Sequence, residues 1–342
     1  MLTVPVADAL PAFVARLAAR FFDAPAPRRR RLLRSADTTA SRLALALAVR
    51  RELLTSASTP ATKALEDALR ARLADALRPE NLVIRPLDLG SPEALLDAVR
   101  RHDAVHPVVS EEDLERRLAD DRAIYALVHK SRRDAALVFA EVALVASTPA
   151  AVDRLVDPSA PILPAAAARE GIFYGISNTE PGTAGLSLGT TLLDRMLDAL
   201  GGRFPHVTRW ATLSPMPGFR AWLVSAVRGS LPGDPVARVC VENGIAPRAL
   251  LPLVDGRADE PEHARIRLVP GLEALARCYL ESTRSDGSPR DPVARFHLGN
   301  GAVLDSVRVD ADRSTRGFEQ SLGVMASYAY VVDGRRVGRA GA

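Results

Sequence analysis

The sequence is poor in cysteine and almost without lysine. Cys240 and Cys278 are the only cysteines in 342 residues. That excludes a disulfide-dense scaffold and a four-cysteine zinc site, and it fits two buried free thiols in a reducing compartment. Lys63 and Lys130 are the only lysines, so 43 of the 45 basic residues are arginine. With so much alanine beside it, this bias is read as genome composition. Against 41 acidic residues the formal net charge is +4, too slight a surplus to imply a nucleic-acid partner. Long apolar runs are lacking as well. Near the N-terminus the longest is Leu43 to Val49, far short of the roughly 20 residues a membrane span needs. Neither membrane association nor a secretory leader is expected, and a bacterial cytoplasm is the expected setting.

What is present is a globular composition, 47% hydrophobic and 25% charged. The length exceeds one ordinary domain. The expected fold class is α+β: an N-terminal all-helical bundle domain at residues 1–80, then a mixed α/β domain at residues 81–342. In the first part Pro11 opens a helix whose Phe13, Val14, Leu17 and Phe21 share a face. Arg28 to Arg31 form a basic run, read as a solvated or interface face. A second helix is expected over Ser41 to Leu54. Thr59 and Pro60 start a third, with Leu65, Leu69, Leu73 and Leu77 along one side and Pro79 ending it.

The pattern then changes. Leu82 to Ile84 reads as a strand. Ser91-Pro92-Glu93 and Ser110 with Asp113 read as helix starts. Ala123 to Val128 and Ala135 to Val145 read as a hairpin around Lys130 to Asp134. Ile172 to Ile176 and Val207 to Leu213 are further strands. Leu186 to Leu200 is expected to be a helix ended by Gly201 and Gly202, and Phe219 to Val227 another. Phe296 to Val309 and Val324 to Val332 are expected to be rich in β-structure. Strands and helices mix without strict alternation, which favours α+β.

Three segments carry candidate chemistry. Ile172 to Leu193 runs from a strand through a loop of small residues into a helix. Gly182, Gly185 and Gly189 would let backbone approach a ligand, and a helix N-terminus suits a phosphate. The spacing matches neither a P-loop nor a dinucleotide fingerprint, so a glycine-rich turn before a core helix stays open. Second, Ser214 ends a strand before Pro215, Met216, Pro217 and Gly218. Such a rigid end can aim a hydroxyl into a cleft, or the serine simply caps a turn. Third, His297 lies in an apolar, β-like stretch next to Gly299-Asn300-Gly301. It reads either as an acid–base group or as a structural histidine. The other histidines lack acidic neighbours at ligand spacing, and no metal site is expected.

Together these segments resemble the malonyl-CoA decarboxylase family. The stretches that carry the likeness are Val105 to Val108, Ile172 to Leu193, Phe204 to Leu223 and Asp291 to Leu304. The pair Ser214-Pro215-Met216-Pro217-Gly218-Phe219 and Phe296-His297-Leu298-Gly299-Asn300-Gly301-Ala302 is its most specific part. The resemblance implies a catalytic domain with the fold of the GCN5-related N-acetyltransferases, behind a helical domain that makes homo-oligomers. It implies malonyl-CoA as substrate and acetyl-CoA as product. It carries the catalytic serine onto Ser214 and the catalytic histidine onto His297. The CoA pyrophosphate and thioester loop falls on Ala184, Gly185, Leu186, Ser187, Leu188, Gly189 and Thr190. Asn300, Tyr328 and Tyr330 are supporting candidates. A site lined by Phe173, Phe219 and Phe296 is expected to exclude water. No metal or organic cofactor is implied, because the thioester is the electron sink. Gly175 stands where animal members are expected to carry serine. An acyltransferase of the same fold, a decarboxylase of malonyl groups on a carrier protein, and a non-enzymatic acyl-CoA sensor are the competing readings.

Overall fold

A computed structural model describes residues 38–56, 58–229, 235–246, 250 and 262–330. The expected Pro11–Phe21 helix and the Arg28–Arg31 run lie outside them.

Among the described residues two helices come first, α1 (Thr39–Thr55) and α2 (Pro60–Ala76). Thr38 caps α1 by accepting the Ser41 N–H. Thr59 and Thr62 form a reciprocal capping box at the start of α2, and Pro60 occupies the first turn, where its missing N–H is harmless. Leu73 and Leu77 are buried, whereas Leu65 and Leu69 are half-buried. Residue 80 falls in a one-turn 3-10 helix, Pro79–Asn81, that leads into β1 (Leu82–Leu87).

Among the described residues the α-helices and strands that follow are α3 (Glu93–His102), α4 (Glu111–Arg117), β2 (Arg122–His129), β3 (Arg132–Val145), α5 (Asp153–Val156), β4 (Glu170–Asn178), α6 (Leu188–Arg203), β5 (Arg209–Thr212), β6 (Ser214–Pro215), α7 (Phe219–Val227), α8 (Pro235–Glu242), α9 (Glu262–Glu281), α10 (Pro292–Gly299), β7 (Val303–Arg308), α11 (Thr315–Ser321) and β8 (Met325–Tyr330). The strands hydrogen-bond in the order β1-β2-β3-β4-β5-β8-β6, with β7 also on β8. β4 and β5 are parallel, and β8 is antiparallel to β5, β6 and β7. Helices followed by a mixed sheet make the fold α+β.

Two expectations are corrected. Helix α6 runs through Gly201 and Gly202 to Arg203. Neither glycine takes the left-handed conformation of a C-terminal cap; Phe204 and Pro205 end the helix instead, since a residue before proline is pushed toward extended backbone. Phe296 to Val309 is not β-rich throughout: its first part closes α10. Asp291 accepts the N–H groups of Val293 and Ala294, and Pro292 fits the first turn. That start signal outweighs the β-like composition of the residues that follow.

The chain divides into two compact units. One holds the described residues up to Asp103, with Tyr125–Phe139 and Ser177–Leu192. The other holds Ala104–Ile124, Ala140–Ile176 and the described residues from Leu193 onward.

In the first unit Arg50 of α1 is buried. Its Nε and Nη2 donate to Glu66 Oε1 of α2 at 2.9 and 2.7 Å, and its Nη1 donates to the Gly182 carbonyl at 2.7 Å. A Cβ at Gly182 would collide with the Leu47 backbone. Gly182 therefore brings its loop against α1, where close approach of backbone to a ligand was expected.

In the second unit, strand alternation sorts the residues of β4 and β5. Ile172, Tyr174, Ala211 and Leu213 enter one core cluster with Val152, Leu155 and Met325. Phe173, Gly175, Thr212 and Ser214 therefore turn to the opposite face.

Candidate active site

The site forms where β4 and β5 part. Their pairing ends at Phe173 opposite Thr212, with one more bond from the Leu213 N–H to the Phe173 carbonyl. The chain at Ser214 then leaves to pair with Ala326 of β8. β4 continues to Asn178 without β5 beside it. A cavity of about 260 Å³ opens in this fork, lined by Phe173 to Ile176, by Thr212, Ser214 and Pro215, and by Val105, Pro292, Val293, Phe296 and His297. None of these side chains is Lys or Arg.

Ser214 and His297 meet at the wall of this cavity, 83 residues apart in sequence. Ser214 Oγ lies 3.1 Å from His297 Nε2 and donates to Thr212 Oγ1 at 2.9 Å. Thr212 Oγ1 also accepts the Tyr328 N–H at 3.1 Å. On the other side of the ring, His297 Nδ1 lies 2.7 Å from the Tyr330 hydroxyl. Ser214 spends its own proton on Thr212, so its contact with the ring calls for the proton on Nε2, and Nδ1 is then the acceptor of the Tyr330 hydroxyl. The result is one directed chain: Tyr330 O–H to Nδ1, Nε2–H to Ser214 Oγ, and Ser214 O–H to Thr212. Tyr328 stacks on the imidazole at 4.7 Å between centroids and 23° between planes. Phe296 meets it edge-on at 5.0 Å.

Burial sets the electrostatics. With no carboxylate bonded to it, His297 loses its water and its pKa is pushed down to about 3. The ring is neutral at physiological pH, as the directed chain requires. Burial raises the pKa values of Tyr328 and Tyr330 above the ordinary phenol value, so both are neutral donors. The Tyr328 hydroxyl has no hydrogen-bond partner among the described residues.

The helix that carries His297 is held from below. Asp291, fully buried, caps α10 with Oδ1 and accepts the Tyr279 hydroxyl on Oδ2 at 3.0 Å. Burial raises the pKa of this carboxyl against the lowering effect of its hydrogen bonds. Tyr279 packs on Phe219 and Trp222. Phe219 was expected to line the site, but it belongs to the cluster beneath the helix; Phe173 and Phe296 do line the cavity. Asn300 ends α10, its N–H 3.1 Å from the carbonyls of Phe296 and His297.

The expected phosphate loop belongs to the first unit. Ala184, Gly185, Leu186 and Ser187 follow a 3-10 turn, and Leu188, Gly189 and Thr190 make the first residues of α6. Gly185 has φ +73° and Ser187 φ +55°, so the loop turns through two left-handed residues. The Asp-Pro start at Asp291 and the alternation of Thr212 with Ser214 are local sequence signals for parts of this arrangement. The Tyr279–Asp291 bond joins residues 12 apart on different elements and had no sequence signal.

A family model described as the malonyl-CoA decarboxylase C-terminal domain matches residues 80–336. The mitochondrial malonyl-CoA decarboxylase of Rattus norvegicus is 30% identical over 287 residues, which cover 80% of this chain and 58% of the rat protein. The chain therefore spans under two thirds of that relative's length. The crystal structure of malonyl-CoA decarboxylase from Rhodopseudomonas palustris is 31% identical, with a TM-score of 0.78 covering 95% of this chain and 80% of the other. That from Agrobacterium vitis is 31% identical, with a TM-score of 0.77 over 96% of this chain and 81% of the other. With the match spanning three quarters of its length, this chain belongs to the malonyl-CoA decarboxylase family.

Proposed function

We propose that the chain decarboxylates malonyl-CoA to acetyl-CoA and carbon dioxide at the Ser214–His297 pair. The observation that carries this reading is the contact of a neutral, buried imidazole with a serine hydroxyl at the wall of an apolar cavity. The malonyl carboxylate enters that cavity and gives up its hydration there. With no cationic side chain in the lining, the environment disfavours the carboxylate and favours uncharged carbon dioxide. The carboxylate–carbon bond breaks, and its electron pair moves into the thioester, whose carbonyl becomes the enolate oxygen. Strand alternation turns the Gly175 N–H to the same side as the Phe173 carbonyl, into the fork, where it is placed to donate to that oxygen.

A proton must then reach the α-carbon. Ser214 and His297 act as one donor unit, with the proton on Nε2 following the one that leaves Oγ. A neutral donor suffices, because the enolate carbon is a far stronger base than a serine alkoxide. Solvent restores the proton after product leaves. The thioester is the electron sink, so the reading calls for no metal or organic cofactor. Ala184 to Thr190 would hold the CoA pyrophosphate at the start of α6. A cytoplasmic setting, a role in fatty acid metabolism and self-association through the helical segment complete the reading. Leu45 and Leu54, exposed on α1, support the last.

The test follows both products. The purified chain is incubated with malonyl-CoA carrying a labelled free carboxylate, with and without a chelator. Equal molar release of labelled carbon dioxide and acetyl-CoA, unchanged by the chelator, is the expected result. A malonyl group passed intact to an amine would contradict it.

A further inference from the structure

Three buried charges stand behind two walls of the cavity. Asp113, Arg117 and Glu141 are 2%, 2% and 0% exposed. Arg117 Nε and Nη2 donate to the two oxygens of Asp113 at 2.7 and 3.0 Å. Its Nη1 donates to the His106 carbonyl at 2.8 Å and to Glu141 Oε1 at 3.2 Å. Asp113 Oδ2 also accepts the Val109 N–H at 3.0 Å. The segment 105–109 thus hangs from α4 by two bonds, one to Arg117 and one to Asp113. Val105, at its start, lines the cavity. On the other side Glu141 of β3 lies against β4, so closely that a Cβ at Gly175 would overlap its carboxylate. Gly175 lines the cavity too. A single guanidinium therefore links the wall that carries Val105 to the wall that carries Gly175.

Such a triad is a poor device for stability alone. Desolvating three charges offsets most of their attraction, and apolar replacements of equal volume are often as stable. What a guanidinium fork supplies is fixed geometry: planar donors in set directions, which lysine cannot reproduce.

We propose that the Asp113–Arg117–Glu141 triad is a positioning element that sets the cavity width between Val105 and Gly175, and through it the discrimination against thioesters substituted at the α-carbon. This rests on the decarboxylase reading above. An unsubstituted malonyl group leaves its α-carbon bare, and the wall spacing is what an added methyl group would have to push apart.

Glu141→Gln keeps the volume and removes the charge. Arg117→Lys keeps the charge and removes the fork. For the full chain and each variant, kcat/KM is measured with malonyl-CoA and with methylmalonyl-CoA, and the Kd of free CoA by calorimetry. The proposal expects the methylmalonyl-to-malonyl ratio to rise about tenfold, the scale on which a pocket discriminates one methyl-sized group, with the Kd of CoA unchanged. A parallel loss for both substrates at constant ratio would make the triad ordinary scaffolding and overturn the proposal. Should either variant fail to fold, Asp113→Asn releases the same segment and is read the same way. Absence of turnover of both substrates by the parent chain would sink the decarboxylase reading itself, and the proposal with it.

Discussion

The Tyr330 hydroxyl sits 2.7 Å from His297 Nδ1, on the side of the ring opposite Ser214, whose own proton goes to Thr212. With Nδ1 occupied as an acceptor, Nε2 is left to donate to Ser214 at 3.1 Å. Tyr330→Phe removes the bond with little change in volume. The expected result is a fall in kcat of roughly 10- to 100-fold, at the low end of what a positioned proton donor contributes, with KM nearly unchanged. Steady-state kinetics on malonyl-CoA check it; a change confined to KM would mean that Tyr330 binds substrate and leaves the ring alone.

The depressed pKa of His297 has a consequence for pH. In the unfolded chain the imidazole titrates near 6.5, and in the fold near 3. Between those values the unfolded state holds the proton and the folded state does not. Stability from the neutral ring is therefore complete above about pH 6.5 and declines as pH falls toward 3. His297→Gln removes that titration, so its denaturant stability between pH 4 and 6 should fall less steeply than the parent's, by up to one proton. For the same reason kcat/KM of the parent should show no inflection near pH 6.5. An inflection there would show that the free enzyme carries an ordinary, solvated histidine.

Asp291 does two jobs with two oxygens, capping α10 and holding Tyr279. Asp291→Ala should cost about 2 kcal/mol of stability and lower kcat as well, because the helix it anchors carries His297. Asp291→Asn keeps an acceptor for the cap and should recover most of the stability. Urea unfolding and kcat measured together check this. Loss of stability with full kcat would mean that the helix start and the histidine are uncoupled.

Arg50 joins α1 to α2 and to the loop at Gly182. Arg50→Ala leaves that carbonyl without its donor, and should destabilise the chain by about 2 kcal/mol. Arg50→Lys should restore less than half of this, since an ammonium cannot reach Glu66 and Gly182 with the geometry of the fork. Thermal unfolding of the three proteins tests it. Equal stability of Arg50→Lys and parent would show that charge alone is at work.

Much of the architecture was legible where a local rule decides it. The N-cap at Thr59, the cap at Ser110, the hairpin between β2 and β3, and the Phe219–Val227 helix all follow from residues close in sequence. The misreadings have equally local causes. At Gly201 and Gly202 the glycines suggested a stop, but the following Phe204-Pro205 sets it. At Phe296 and His297 the composition favoured a strand, while Asp291 and Pro292 had already started a helix. The site was legible only as a resemblance. Taken alone, Ser214 and His297 each read more readily as structural residues, and nothing in their spacing joins them. Thr212, Tyr330 and Asp291 reach the pair through sheet pairing and helix capping, which no linear pattern displays. Gly182 packs its loop against Leu47 and Gly175 makes room for Glu141, two close approaches that no local pattern displays.

In the proposed reaction malonyl-CoA loses its carboxylate and the Ser214–His297 pair returns a proton to the α-carbon. The most direct test is turnover of malonyl-CoA in deuterium oxide by the parent chain and by His297→Ala, with the acetyl-CoA weighed by mass spectrometry. The expected result is acetyl-CoA with one solvent deuterium on the methyl carbon from the parent, and a rate at least 100-fold lower from the variant. Acetyl-CoA formed equally fast by the variant, or none formed by the parent, would contradict it.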